Sequence, residues 1–278
     1  MPPPRGGCAA LLCCLLAGCA AQPPRGGGIV STNPCADAML VELVPAQRIA
    51  AISHYSQDPV ATSLPLDVAR RFRATRGTAE EVVAMQPELV IASSFTSPAT
   101  RSAYARAGLK TLYLGSPVTI AASQAQITEL AGALGVAEAG RAMNARIDQA
   151  VRAATWQGPQ VSALVWISGN LVSGGGNLLD EMMTRAGFSD HAAHYGLQFT
   201  GNLPIEHVVV DPPQVMLVPD APGRTASSRA AQLRSRALAH LGGKVEEARF
   251  PRQLVNCGGP VIAKAMARLA EVRREVGR

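Results

Sequence analysis

The chain has 278 residues, 47% of them hydrophobic, 4% aromatic and 17% charged, with 26 Lys and Arg against 20 Asp and Glu. Such a composition supplies a substantial core and excludes a disordered chain, and no apolar run reaches the ~20 residues that a membrane-spanning helix needs. The net charge of +6 comes from scattered arginines with few aromatics between them, which argues against nucleic acid as the partner.

Residues 1–18 carry one positive charge, Arg5, ahead of the short apolar run CAALLCCLLAG from Cys8 to Gly18. That is the pattern of a secretory signal peptide. The run ends in Leu16-Ala17-Gly18-Cys19, which resembles the bacterial lipoprotein box. The resemblance implies cleavage before Cys19, lipidation of its thiol and a polar tether over 19–28. One acyl chain anchors only marginally, whereas the several chains of a lipoprotein hold it firmly, so the expected location is the periplasm, on a membrane surface. Cys8, Cys13 and Cys14 then leave with the signal, and Cys35 and Cys257 remain as either one disulfide or two buried thiols.

From residue 29 onward apolar strand-like runs alternate with helical patterns. Strands are expected over Ile29–Thr32, Arg48–Ser53, Leu89–Ser93 and Leu109–Leu114, with helices over 35–44, 79–86, 98–107 and 119–134. A second series follows, with strands over Val161–Ile167, Val215–Val218 and Lys244–Ala248 and helices over 178–186, 204–210, 226–241 and 260–275. The alternation predicts two parallel-sheet α/β lobes, at 29–118 and 158–278. Between them, 119–157 is rich in helix formers and is interrupted only by Gly132, Gly135 and Gly140, which reads as one long helix joining the lobes. A weak repeat links the two halves: Glu80 precedes Pro87, and Glu206 precedes Pro213, in the same order of short helix, proline and apolar strand.

Five stretches carry a wider likeness: IVSTNPCADAMLVEL, SHYSQDP, RGTAEEVVAMQPELVIAS, SGGGNLLDEMMTRAGF and LPIEHVVVDPPQVMLV. In that order they resemble the class III substrate-binding proteins of ABC importers for cobalamin, haem and ferric siderophores, whose two lobes are bridged by a helix. The resemblance implies a protein without catalytic activity or resident cofactor, expected to act as a monomer, that binds a corrinoid, haem or ferric chelate between its lobes and delivers it to a permease. It also implies that Glu80 and Glu206, one on each lobe, pair with arginines of the permease. Two carboxylates held apart by a rigid body would fix orientation more than they add affinity. A purely local reading makes both first-turn acids of their helices, while Thr78 and Glu81 already form a T-x-x-E capping box.

Ligands of open α/β lobes meet the loops at the carboxyl ends of the strands. Those loops hold His54 and Tyr55, Phe95, Trp166, Asn170 and Asn256. Aromatic rings there suit a large, flat, partly apolar ligand, although each could equally be core. Tyr55 stands out because SHYSQDP resembles the loop with which cobalamin binders offer a tyrosine to the corrin; against cobalamin, Ala74 and Thr75 occupy the place of that family's usual tryptophan. Arg76, the last of four arginines in RRFRATR, is a candidate clamp for ligand carboxylates. The competing class is a metal chelatase acting on a tetrapyrrole, which would need a convergent His/Glu pair, and only His54 is available in the cleft. Asp190-His191-Ala192-Ala193-His194 places two imidazoles one turn apart but lacks an evident third ligand, so no metal site is assigned. Ser173–Asn177 (SGGGN) is neither a phosphate loop nor a dinucleotide fingerprint and reads as a tight strand-to-helix turn capped by Asn177.

Overall fold

The computed structural model describes residues 27–219 and 243–276, together with Gln232, Ser235, Arg236, Ala239 and Leu241. The expected signal peptide, Cys19, most of the tether and most of the helix expected over 226–241 lie outside these residues.

The first lobe is built on a fully parallel sheet of β1 (Ile29–Ser31), β2 (Ile49–Ser53), β3 (Ala74–Thr75), β4 (Leu89–Ser93) and β5 (Thr111–Leu114), in the order β3-β2-β1-β4-β5. Its central strands read as unbroken apolar runs because helices cover both faces. These are α1 (Pro34–Leu43), α2 (Leu66–Ala69), α3 (Ala79–Met85) and α4 (Pro98–Arg106). Local chemistry sets their starts: the Asn33 side chain accepts the Cys35 and Ala36 N–H groups ahead of Pro34, and Ser97 accepts from Thr100 ahead of Pro98. α3 stops at Gln86, held at φ 46, before Pro87.

The second lobe repeats this plan. Its strands are β6 (Val161–Ser168), β7 (Leu171–Ser173), β8 (Phe188–Asp190), β9 (Thr200–Asn202), β10 (Val215–Val218) and β11 (Glu246–Arg249); its helices are α7 (Leu178–Arg185), α8 (His191–His194), α9 (Ile205–Val210) and α10 (Val261–Glu275). The parallel series β8-β6-β10-β11 has the topology of β2-β1-β4-β5, so the repeat around Glu80 and Glu206 reflects a duplicated arrangement of strands. The second sheet departs from the expected all-parallel form. β6 turns back through Gly169, at φ 55, and Asn170 into β7, and β7 pairs with β9, both antiparallel.

The single helix expected over 119–157 is instead two helices, α5 (Ile120–Ala133) and α6 (Ala137–Ala154), folded back on each other. Gly135 makes the turn at φ 72, which a side chain rarely adopts. Gly140 allows the close approach: a Cβ there would lie 2.5 Å from the Ala131 Cβ. Across the pair, the Asn144 amide donates to Gln124 O at 3.1 Å and to Thr128 Oγ1 at 3.2 Å, and the Gln124 amide donates to Asp148 Oδ1 at 2.6 Å. The glycines that read as interruptions of one helix are the turn and the packing face of a hairpin.

One apolar core passes through both lobes and this hairpin. It includes Met39 and Leu40 of α1, Leu130 of α5, Met143 and Ile147 of α6, Met182 of α7, and Met266 and Leu269 of α10. The exit from α6 is fixed by Arg273, 8% exposed, whose guanidinium lies 4.1 Å over the Trp156 ring and donates to Gly187 O and Pro159 O. At the opposite side of the seam the pairing that the sequence leaves open is made: Cys35, in the first turn of α1, is bonded to Cys257, ahead of α10, across 222 residues. In a chain-entropy view, closing so long a loop stabilises the fold by about 5 kcal/mol, with native disulfides commonly giving ~2–5. Replacing both cysteines by serine is expected to lower the urea midpoint by an equivalent amount; an unchanged midpoint would show that the packed seam holds the lobes without the bond.

Candidate ligand cleft

The carboxyl ends of the strands in both lobes open onto one cleft of ≈ 410 Å³. The first lobe contributes Asn33 and Cys35 after β1, Ser93 at the end of β4 and Gly115–Val118 after β5. The second contributes Ile167, Ser173, Asn177, Phe199 and the segment Val255–Gly258. The Cys35–Cys257 disulfide therefore forms part of the cleft wall. Two polar contacts close the seam beside it: the Glu181 carboxylate of α7 accepts the Ile120 N–H at the start of α5 at 2.7 Å, and Ser123 Oγ accepts the Gly259 N–H at 2.8 Å.

Phe199 is a wall residue that sequence reasoning misses. Its backbone is held at φ 57, a costly conformation for a side chain of this size, and its ring is 57% exposed. Three bonds impose it: Phe199 N–H donates to Gly175 O at 2.7 Å, while Phe199 O accepts from Gly174 N–H at 2.9 Å and from the Asn177 amide at 2.7 Å. Glycine is required here, since a Cβ on Gly174 would fall 2.6 Å from the backbone Leu197 O and Gly176 sits at φ 76, which side chains rarely adopt. Asn177 completes the turn by capping α7 through the Asp180 N–H at 3.0 Å. The available signal was three consecutive glycines, which imply a backbone packed directly against them.

On the first lobe, Tyr55 and Phe95 follow β2 and β4 and stand 51% and 80% exposed. The Phe95 loop is rigid nonetheless, because Arg101 stacks 4.0 Å over the Tyr113 ring and donates to Ser94 O and Thr96 O. Tyr55 lies in a 3-10 turn over His54–Gln57, with its ring 4.0 Å from that of His54, whose Nδ1 is 3.3 Å from Thr75 O. Beneath this turn sits Asp37 of α1, fully buried. Its Oδ2 accepts the Ser53 N–H at 2.9 Å and the Ser56 hydroxyl at 2.6 Å, and its Oδ1 has no partner.

Of the ligand-contact candidates in the sequence only Asn256 lines the cleft; His54, Tyr55 and Phe95 stand on loops at strand ends outside its lining. Trp166 is 2% exposed and packs with Leu164, Val172 and Met216 in a core on the far face of the second sheet, so its ring is structural and not a stacking surface. Asn170 is at the exposed tip of the β6–β7 hairpin, where its carbonyl accepts the Leu203 N–H at 2.8 Å. Arg76 is exposed beyond β3. The expected capping box is half made: Thr78 accepts the Glu81 N–H, but the Glu81 carboxylate reaches past Thr78 to the Thr75 hydroxyl and the Arg76 N–H, both at 2.8 Å. The hydroxyl bond from Thr75 is the main reason the Glu81 carboxyl titrates below the usual range. Glu80 and Glu206, by contrast, are exposed at the starts of α3 and α9. His191 is buried with its Nε2 2.9 Å from Asp211 O.

The family model described as periplasmic binding protein matches residues 29–241. The chain belongs to that family. Among solved structures, the haem-binding protein RhuT from Roseiflexus sp. RS-1 is similar to it at 19% identity and TM-score 0.72, over 91% of this chain and 100% of that one. A periplasmic haem-binding protein from Pseudomonas aeruginosa is similar at 20% identity and TM-score 0.70, over 90% and 94%. The vitamin B12-binding protein BtuF of Vibrio cholerae is similar at 18% and 0.67, over 90% and 97%. At these identities the likeness is one of fold, the class III arrangement. A comparison of the sequence with curated proteins finds no match.

Burial pushes the Asp37 carboxyl up to about 7, against the bonds from Ser56 and Ser53 and the nearby Ser31 hydroxyl, which favour its charged form. Burial likewise pushes Asp190, the cap of α8, up to about 6. A carboxyl raised on folding holds its proton longer in the folded chain, so its contribution is full below the unfolded value near 4 and is lost as pH rises through the folded value. Resistance to urea is expected to fall between about pH 4 and pH 7, and Asp37→Asn to flatten the upper part of that fall; an identical profile in the variant would remove Asp37 as its source.

Proposed function

We propose that the protein binds an iron tetrapyrrole, haem, in this cleft and delivers it to an ABC permease. The observation that carries the reading is Phe199, an aromatic side chain held exposed in the cleft wall by a strained backbone and a dedicated glycine turn. Tyr55 and Phe95 are exposed on loops at strand ends of the first lobe, outside the cleft lining, and a planar ligand reaching beyond the wall would meet rings on both lobes with few specific hydrogen bonds. The phenol of Tyr55 is a hard oxygen donor, suited to ferric iron, with the His54 imidazole beside it. Solved relatives that bind haem and vitamin B12 share the fold, which makes cobalamin the second candidate and a ferric siderophore the third. His54, Asn256, and more remotely Arg76 and Asn170, are secondary contacts in this reading. Family membership favours a binding protein over a tetrapyrrole chelatase.

Titration of the purified protein with haemin, cobalamin and a ferric siderophore, each followed by absorbance, decides the ligand. A shifted Soret band at one haem per chain is expected, with Tyr55→Ala and Phe199→Ala each weakening binding about tenfold, the loss of ~1–1.5 kcal/mol of ring stacking. A response to cobalamin or siderophore alone would transfer the site to that ligand, and no response to any would end the proposal.

Delivery is assigned to Glu80 and Glu206, whose exposed carboxylates enter none of the ion pairs made among the described residues. Charge reversal at both (E80K/E206K) is expected to abolish uptake in cells and leave ligand affinity unchanged; a loss of affinity would refute the docking role. The protein is further proposed to be held at the membrane through lipid on Cys19. Cys19→Ser is expected to shift it from the membrane to the soluble periplasmic fraction, and retention at the membrane would exclude that anchor.

A further inference from the structure

We infer that Asp37 is a positioning residue for the ligand, holding the His54–Tyr55 segment in place through one carboxylate oxygen bonded on both sides of it. The inference rests on the reading that Tyr55 meets the ligand.

Two residues apart on α1, Cys35 and Asp37 project roughly 200° apart around the helix. Cys35 reaches the second lobe, and Asp37 turns to the end of β2. There Asp37 Oδ2 takes the Ser53 N–H and the Ser56 hydroxyl, one on each side of His54 and Tyr55. Ser53 Oγ in turn accepts the Tyr55 N–H at 3.3 Å. The backbone that carries Tyr55 is therefore tied at three points while its ring stays half exposed.

The core itself gains little from such a group. A carboxyl buried to 0% exposure with Oδ1 unpartnered is costly, and the groups that face it, the Ser31 hydroxyl of β1, the Ser53 N–H of β2 and the Ser56 hydroxyl of the turn, carry no charge to offset its own. An alanine or valine would fill α1 against β2 without that cost, but neither could grip the turn. Its titration falls near neutrality for the reason given above, and ionisation in place leaves an uncompensated buried charge that favours opening of the segment to water. The segment is thus held more firmly at pH 6 than at pH 8. The titratable side chains on the turn itself are His54 and Tyr55.

The test combines hydrogen exchange of the ligand-free protein, read by mass spectrometry on peptides covering 49–60, with haemin titration at pH 6 and pH 8. Asp37→Ala and the milder Ser56→Ala are expected to speed exchange over Ser53–Gln57 at least tenfold while β4 keeps its protection. Wild type is expected to bind haemin more tightly at pH 6 than at pH 8. Asp37→Asn, which keeps an oxygen acceptor but cannot ionise, should retain protection and lose that difference. His54 is the same in both proteins, so only the contrast between them reports Asp37. Wild-type protection in both the alanine variants, or a full pH difference surviving in Asp37→Asn, overturns the inference. If wild type binds no haemin at either pH, the proposed function fails, and the exchange measurement alone decides whether Asp37 positions the segment.

Discussion

Where the two lobes meet, the side chains of α1, α5, α6, α7 and α10 form a single apolar core, and the placement of every cleft residue depends on it. Closing the cleft by a large rotation would have to separate Met39 and Leu40 from Met143, Met182 and Met266, each worth on the order of 2 kcal/mol when buried. It would also strain a covalent bond between Cys35 and Cys257 and uncover the Glu181 contact to the start of α5. The lobes are therefore expected to rock by small amounts about a packed seam, in contrast to binding proteins whose lobes are joined by flexible strands.

A stiff frame explains why the cleft is furnished in advance. The Phe199 ring is held in the wall by a conformation that is unfavourable in isolation, and the three bonds to Gly174, Gly175 and Asn177 that impose it are built into the fold before any ligand arrives. The Phe95 loop is likewise fixed from behind by Arg101. Ordering costs that a mobile site would meet on binding are met during folding, which is the physical content of preorganisation.

The strands were legible because a sheet covered on both faces demands continuous apolar runs, and LVIAS and VMLV can be little else. The duplicated topology was legible for the same reason, through the two short helices followed by proline and strand. The α5–α6 hairpin was not, since Gly135 and Gly140 look alike in a helix-forming sequence, and only the fold distinguishes a turn from a close contact. Asn256 in the cleft wall, and the exposed Tyr55 and Phe95 outside its lining, were reachable from their positions at strand ends. Trp166 was misplaced because strand alternation puts it on the far face of β6, away from the partly exposed Ile167 that lines the cleft. Phe199 was missed because nothing in Gln-Phe-Thr announces a left-handed backbone; its signal lay 22 residues upstream, in the SGGGN turn whose Asn177 holds the Phe199 carbonyl.

The disulfide in the cleft wall also fixes what chemistry the cleft cannot do. Two thiolates at that place would compete for iron as soft ligands and could pass electrons to it; bonded to each other, Cys35 and Cys257 offer neither a coordinating sulfur anion nor a reducing equivalent. A ferric ligand of the kind proposed would meet a wall without a thiolate to bind or reduce it. Reduction of the bond would present a different cleft, with two free thiols in its wall.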